Sequence, residues 1–258
     1  MVHGFRGDHH GLLRLVEELR AYSVIVPDLP GFGQSEAMDR NSVEDYASFV
    51  LESFRVLALA ADTVLLGHSF GSIVCSRFAV EYPRLFSELI LVNPICEPAL
   101  QGPGRIASKA AEFYYAAGAA LPERAGSSLL RSVLVARGMS WMMAKTNHRE
   151  TRRYIHGQHL AYFGKFANRT ALLETFRTSI SNDVLQVASQ LLNPVLLVVA
   201  EKDDLGSVPA QRRLAEVIPD STLRVIAGVG HLIHYETPGV AAELINEFLS
   251  GRHQCTLS

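Results

Sequence analysis

Short apolar, β-branched runs alternate along this chain with longer stretches of helical spacing. "SVIVPDL" (23–29), "DTVLLG" (62–67), "FSELILVNP" (86–94), "PVLLVVAEKD" (194–203) and "STLRVIAG" (221–228) read as buried strands. "SVEDYASFVLESFRVLALA" (42–60) carries a helical pattern, and Ser42 and Asp45 open it as a capping box with Asp in place of the usual Glu or Gln. "GSIVCSRFAVEYP" (71–83) predicts a second helix stopped by Pro83, "QRRLAEVIP" (211–219) a third, and "PGVAAELINEFLS" (238–250) the last. Strand and helix alternating in this way predict an α/β fold, a mostly parallel sheet with helices on both faces.

The rhythm breaks after the run ending at Pro94. From Glu97 to about Asp183 no strand-like run occurs, and the segment is helical in pattern and rich in Ala, Arg, Met and aromatics. A breaker cluster, "EPALQGPGR" (97–105), opens it. The expected organisation is a core of residues 1–96 and 185–258, with 97–184 inserted as a helical lid. The lid belongs over the C-terminal edge of the sheet, where open α/β sheets bind ligands.

Composition narrows the classes. The chain has 258 residues, 48% hydrophobic and 19% charged, which is enough for a sizeable core. A formal net charge of −2 gives no general pull toward nucleic acid or an anionic membrane. Cys75, Cys96 and Cys255 are too scattered for a disulfide framework or a zinc site. The first residues lack the apolar core of a signal peptide, and no apolar run reaches the ~18 residues of a spanning helix. The expectation is a cytoplasmic protein with a small-molecule ligand and no nucleic-acid or membrane partner; its oligomeric state stays open.

The chemistry centres on "VLLGHSFGSIV" (64–74), which sets Ser69 between two glycines where a strand meets a helix. An ordinary turn serine is one reading. The other is a nucleophile held in strained backbone angles, with the flanking glycines leaving room. A serine hydroxyl needs a base, a group that orients the base, and donors for an oxyanion. A base is available in "GVGHLIHYETP", as His231 or His234, just beyond the last strand. An acid is available after the preceding strand, as Asp203 or Asp204. The backbone N–H groups of Phe70 and of Phe5, which follows His3-Gly4, are candidate oxyanion donors.

The stretches "VHGFRG", "DLPGFGQS", "GHSFGS", "AEKDDLGSVP" and "GVGHLIHYETP" resemble those of the α/β-hydrolase fold superfamily, in its lidded serine-hydrolase branch, in order and spacing. The resemblance covers residues 1 to about 96 and 185 to 251; the lid carries no matching motif. It implies Ser69 as nucleophile, His231 as base, and an acid three residues after Ala200, at Asp203. It also implies oxyanion donors at Phe5 and Phe70. Members with an aspartate nucleophile are disfavoured by the serine at 69. The start departs from the pattern: only Met1 and Val2 precede His3, so either the protein dispenses with the family's N-terminal hairpin, which would expose a sheet edge, or the sequence begins late.

Several residues have bland and sharp readings side by side. His3 and Asp28 are expected to tie down their loops by hydrogen bonding. His68 either touches substrate or holds the serine turn. His9 and His10 beside Asp8 lack a third ligand at useful spacing, so no metal is expected. His148, Arg152, His156 and His159 share one helical face, either solvated or an anion-binding wall. Trp141 and its aromatic and methionine neighbours build the lid, some of them facing an apolar chamber. The expected activity is esterase chemistry on a small or medium, largely apolar acyl compound, through an acyl-enzyme and without cofactor. The alternatives are a carbon–carbon bond hydrolase, lyase or aminopeptidase of the same fold acting on a carboxylated substrate, and a non-catalytic ligand-binding protein.

Overall fold

The computed structural model describes residues 1–97 and 105–255. In chain order the helices are α1 (Leu13–Glu18), α2 (Val43–Val56), α3 (Phe70–Glu81), α4 (Arg105–Ala120), α5 (Glu123–Leu130), α6 (Val133–Met143), α7 (Arg149–Tyr162), α8 (Arg169–Ser181), α9 (Val208–Val217), α10 (Ile233–Glu236) and α11 (Pro238–Cys255). The strands are β1 (Leu65–His68), β2 (Leu89–Val92), β3 (Val195–Ala200) and β4 (Ser221–Ile226). They form a parallel sheet in the order β1-β2-β3-β4.

The first three strands are apolar on both faces because both are covered. Leu65, Leu89, Leu91, Val195, Leu197 and Val199 pack toward α2, α3 and α9. Leu66, Ile90, Val92, Leu196, Val198 and Ala200 pack toward α1 and α11. Alternate residues of one strand thus enter opposite core layers, as the two-residue period requires. The expected capping box is present: Ser42 Oγ accepts from the Asp45 N–H at 3.2 Å, and Asp45 accepts from the Ser42 N–H at 3.0 Å.

One predicted strand does not form. Residues 23–29 carry no sheet ladder. A strand exists only with a paired neighbour, and this segment gains no ladder. Met1 donates to the Ile25 carbonyl at 2.7 Å, and Val2 bridges Gly67 of β1. The β propensity of "SVIV" does not make a strand without a paired ladder. Of the breaker cluster, residues 98–104 lie outside the described residues, as does the side chain of Cys255. Among the described residues, helices α4 to α8 lie between β2 and β3 in the chain. Among the described residues, no helix is long and apolar enough to cross a membrane.

Candidate active site

The β1–α3 junction sets Ser69 at the sheet's C-terminal edge with φ +52° and ψ −118°. A positive φ is costly for a residue with a Cβ and persists only where the surroundings impose it. Here they do. The Ser69 N–H donates to the Val92 carbonyl of β2 at 3.1 Å, and its own carbonyl accepts from the Ser72 N–H at 2.8 Å and the Ser72 hydroxyl at 2.5 Å. Both neighbouring glycines are required by close approach. A Cβ on Gly67 would strike the Gly71 backbone, and one on Gly71 would strike the carbonyls of Val2 and His3.

The rest of the site assembles from loops at the same edge. His231 Nε2 lies 2.8 Å from Ser69 Oγ, and its Nδ1 lies 2.9 and 3.0 Å from the two Asp203 carboxylate oxygens. The carboxylate can only accept, so Nδ1 carries the proton and Nε2 accepts from the serine hydroxyl. Both side chains are nearly fully buried, 5% exposed for His231 and 1% for Asp203. Of the two adjacent aspartates, only Asp203 meets His231; Asp204 turns outward to pair with Lys145. His234 does not compete for the serine. It is buried against the His68 ring, 4.1 Å between centroids, and burial holds its pKa well below the ordinary range.

The Gly4 backbone lies against the serine, since a Cβ there would sit 3.1 Å from Ser69 Cβ. Phe5 follows Gly4 and Phe70 follows the serine, so their N–H groups are the candidate oxyanion donors. Among the described residues no protein acceptor takes either N–H. Phe70 also begins α3, so its N–H lies at the positive end of a helix dipole. His3 holds the Gly4 turn: its Nε2 accepts from the Leu29 N–H at 2.8 Å and its Nδ1 donates to the Gly4 carbonyl at 2.9 Å. Asp28 accepts from the His9 and Gln34 N–H groups and from the His9 ring, which ties down its loop. His68 is buried, its Nε2 3.3 Å from the His231 carbonyl, and desolvation lowers its pKa to about 3. It is a neutral wedge behind the His231 loop.

Two further side chains shape the site without a signal strong enough to have been singled out from sequence. Asn93 follows β2 with φ +44°. Its amide donates to the His231 carbonyl at 2.8 Å, and its Oδ1 accepts from the Ala200 N–H of β3 at 2.8 Å. Asn in "LVNP" at a strand's end was the available clue, since Asn tolerates the left-handed region better than most residues. Arg6, next to Phe5, is 92% buried (8% exposed) with φ +56°. Its guanidinium donates to the carbonyls of Leu130 (2.6 Å) and Phe163 (2.8 and 3.1 Å) and stacks 3.5 Å over the Phe163 ring. Those carbonyls end α5 and follow α7, so one cation joins the Phe5 loop to the negative ends of two helices.

The expected substrate contacts from α6 and α7 have other surroundings. Trp141 is 74% exposed. Arg152 donates from Nε (3.1 Å) and Nη2 (2.7 Å) to the Thr146 carbonyl, closing the turn before its own helix. None of their hydrogen bonds reaches Ser69, Asp203 or His231. The other members of that helical face differ in their surroundings. His148 caps α7, His156 meets Ser140 Oγ at 2.6 Å, and burial lowers the His159 pKa to about 4. His9 and His10 pair with Asp28 and Asp8. No group of three or more His, Cys, Asp or Glu among the described residues is placed to hold a metal.

This arrangement can activate a hydroxyl, stabilise the resulting imidazolium and offer two N–H donors to a developing oxyanion. Comparison with known proteins finds hydrolases. Lipase 3 of Moraxella sp. (strain TA144) is 32% identical over 98 residues, 36% of this chain and 30% of the lipase. The uncharacterized hydrolase YugF of Bacillus subtilis is 23% identical over 96% of this chain and 88% of its own length. The structure of a thermophilic esterase from Thermogutta terrifontis superposes with a TM-score of 0.78 at 25% identity, covering 97% of this chain and 88% of the esterase. The profile of the alpha/beta hydrolase family matches residues 1–244, and the chain belongs to that family.

Proposed function

We propose that this α/β hydrolase cleaves a small or medium, largely apolar carboxylic ester through an acyl-enzyme on Ser69. The observation that carries the reading is the 2.8 Å contact between Ser69 Oγ and His231 Nε2 on a serine held at positive φ. In this mechanism His231 takes the hydroxyl proton as Oγ attacks the carbonyl carbon. Asp203 fixes the tautomer and stabilises the imidazolium. The N–H groups of Phe5 and Phe70 receive the oxyanion. The tetrahedral intermediate collapses as His231 returns the proton to the leaving alkoxide. A water, deprotonated in turn by His231, releases the acid and restores the serine.

Residues 97–184 act as the lid over this centre, on a core of 1–96 and 185–258. Phe5 supports the apolar character of the acyl site: its ring meets Phe32, Tyr115 and Phe176 at centroid distances of 5.6–5.8 Å. Arg152 commits its Nε and Nη2 to the Thr146 carbonyl beside its own helix rather than to Ser69 or His231, which favours a neutral ester over the carbon–carbon cleavage reading. A panel of aryl esters of increasing acyl length, run beside carboxylated β-diketones, tests the choice. Turnover of the esters alone is expected; turnover of the diketones alone would overturn it.

A further inference from the structure

Helix α6 carries a second feature, independent of the serine chemistry. Its buried side is small and anchored: Ala136, Ser140 and the following Ala144 are buried, with Ser140 Oγ bonded to His156 of α7 at 2.6 Å. Its other side is apolar and exposed. Leu134 is 77% exposed, Trp141 74%, Val133 52%, Met142 50% and Met139 38%. Leu134, Arg137, Gly138 and Trp141 fall at i, i+3, i+4 and i+7, one stripe of a helix. An exposed apolar stripe of this kind on one short helix marks an interaction surface.

Charge selects the partner. From Arg124 to Arg149 the chain holds five Arg and Lys and no Asp or Glu, although the whole protein carries a net charge of −2. Lys145 pairs with Asp204, but Arg137 lies within the exposed stripe itself. A second copy docking by two-fold symmetry would lay the stripe on itself and set Arg137 near its counterpart, like charge on like. A surface of anionic lipid headgroups complements both features, taking Trp, Leu and Met into the acyl boundary and pairing Arg137 with phosphate. The C-terminal end of α6, beyond the stripe, approaches the His231 loop. Gly230, one residue before His231, lies against the Met143 carbonyl at the end of α6, at 3.4 Å from a Cβ built there.

We propose that α6 is a membrane-docking helix that seats the protein on anionic bilayers, with the His231 loop next to the lipid surface. The proposal does not depend on the ester-hydrolysis reading, because docking needs no chemistry at Ser69. The whole-chain net charge hides it, since the basic residues are local to this part of the sequence.

Trp141 is the chain's only tryptophan, so its fluorescence reports on the stripe directly. The full-length protein is titrated with vesicles of equimolar phosphatidylcholine and phosphatidylglycerol, and separately with phosphatidylcholine alone, by emission and by co-sedimentation. The expected result is a blue shift and co-sedimentation with the anionic vesicles, reversed by high salt. Leu134→Asp and Arg137→Glu are each expected to weaken partitioning by about 10-fold or more, with the circular dichroism of the folded protein retained. Ser69→Ala is expected to bind as wild type, which separates this test from any failure of the catalytic reading. Unchanged emission at saturating anionic lipid would overturn the proposal. So would equal binding to neutral vesicles unaffected by Arg137→Glu, or a lipid-independent blue shift that grows with protein concentration, which would assign the stripe to self-association.

Discussion

Asn93 staples the His231 loop to the sheet: its amide donates to the His231 carbonyl at 2.8 Å while its Oδ1 accepts from the Ala200 N–H at 2.8 Å. Asn93→Ala leaves both groups unpaired in a buried place, a cost of about 2 kcal/mol in stability. It also loosens the base. The expected result is a kcat lowered by about 10-fold or more with KM little changed, because misplacing a catalytic group by a fraction of an ångström is costly. Steady-state kinetics beside a melting curve checks this; a pure loss of stability with normal kcat would reduce Asn93 to a structural role.

The two adjacent aspartates separate cleanly. Asp203 is buried on His231, whereas Asp204 is 58% exposed and pairs with Lys145. Asp203→Asn is expected to lower kcat by about 10⁴-fold by favouring the wrong tautomer of His231. Asp204→Asn is expected to stay within about 2-fold, since exposed ion pairs contribute little. Kinetics of both variants on one ester decides the matter, and the reverse order would move the acid.

Arg6 predicts coupling between the α5 and α7 ends and the oxyanion loop. Arg6→Met removes the donors to the Leu130 and Phe163 carbonyls and is expected to cost about 2–3 kcal/mol in stability. Because Phe5 is the adjacent residue, kcat should fall as well, toward the ~10²-fold loss of an absent oxyanion donor. Arg6→Lys is expected to rescue little, since an ammonium lacks the planar fork that spans both carbonyls. Full rescue by Lys would show that charge alone matters there.

Stability should fall with mild acid. Desolvation lowers the His68 pKa to about 3 and the His159 pKa to about 4, and holds His234 well down, from an ordinary value of 6.5. These groups stay neutral when folded, while the unfolded chain binds protons below 6.5. Stability is therefore full above that pH and declines as pH drops toward the folded values. Asp45, held low by the Ser42 hydroxyl, and Asp220, held low by Arg252, lose their contribution only in stronger acid. Melting temperatures between pH 7 and 5 isolate the histidines. A flat profile would contradict their burial as neutral groups.

The alternation of apolar runs made the parallel sheet legible, because β1 to β3 are buried on both faces and read as continuous hydrophobic stretches. The partners of Ser69 were legible as a set because each follows a recognisable strand: Asp203 after β3 and His231 after β4. The extended run at 23–29 misled, since strand propensity is realised only against a neighbour, and pairing is not written in the run itself. Asn93 and Arg6 escaped for a related reason. Their partners, the His231 and Ala200 backbone and the Leu130 and Phe163 carbonyls, lie more than a hundred residues away and leave no local spacing to read. Arg152 and Trp141 show the converse: a face shared on a helix does not say whether that face meets a cavity, another helix or solvent.

The central claim is that the Ser69 hydroxyl is an activated nucleophile. Intact-protein mass spectrometry after exposure to a fluorophosphonate tests it most directly, because only a serine with a working base and oxyanion donors reacts. The account predicts a single phosphonyl adduct mapped to Ser69, no adduct in Ser69→Ala, and labelling slowed by orders of magnitude in His231→Ala. An unlabelled wild-type protein, or an adduct that persists in Ser69→Ala, would contradict it.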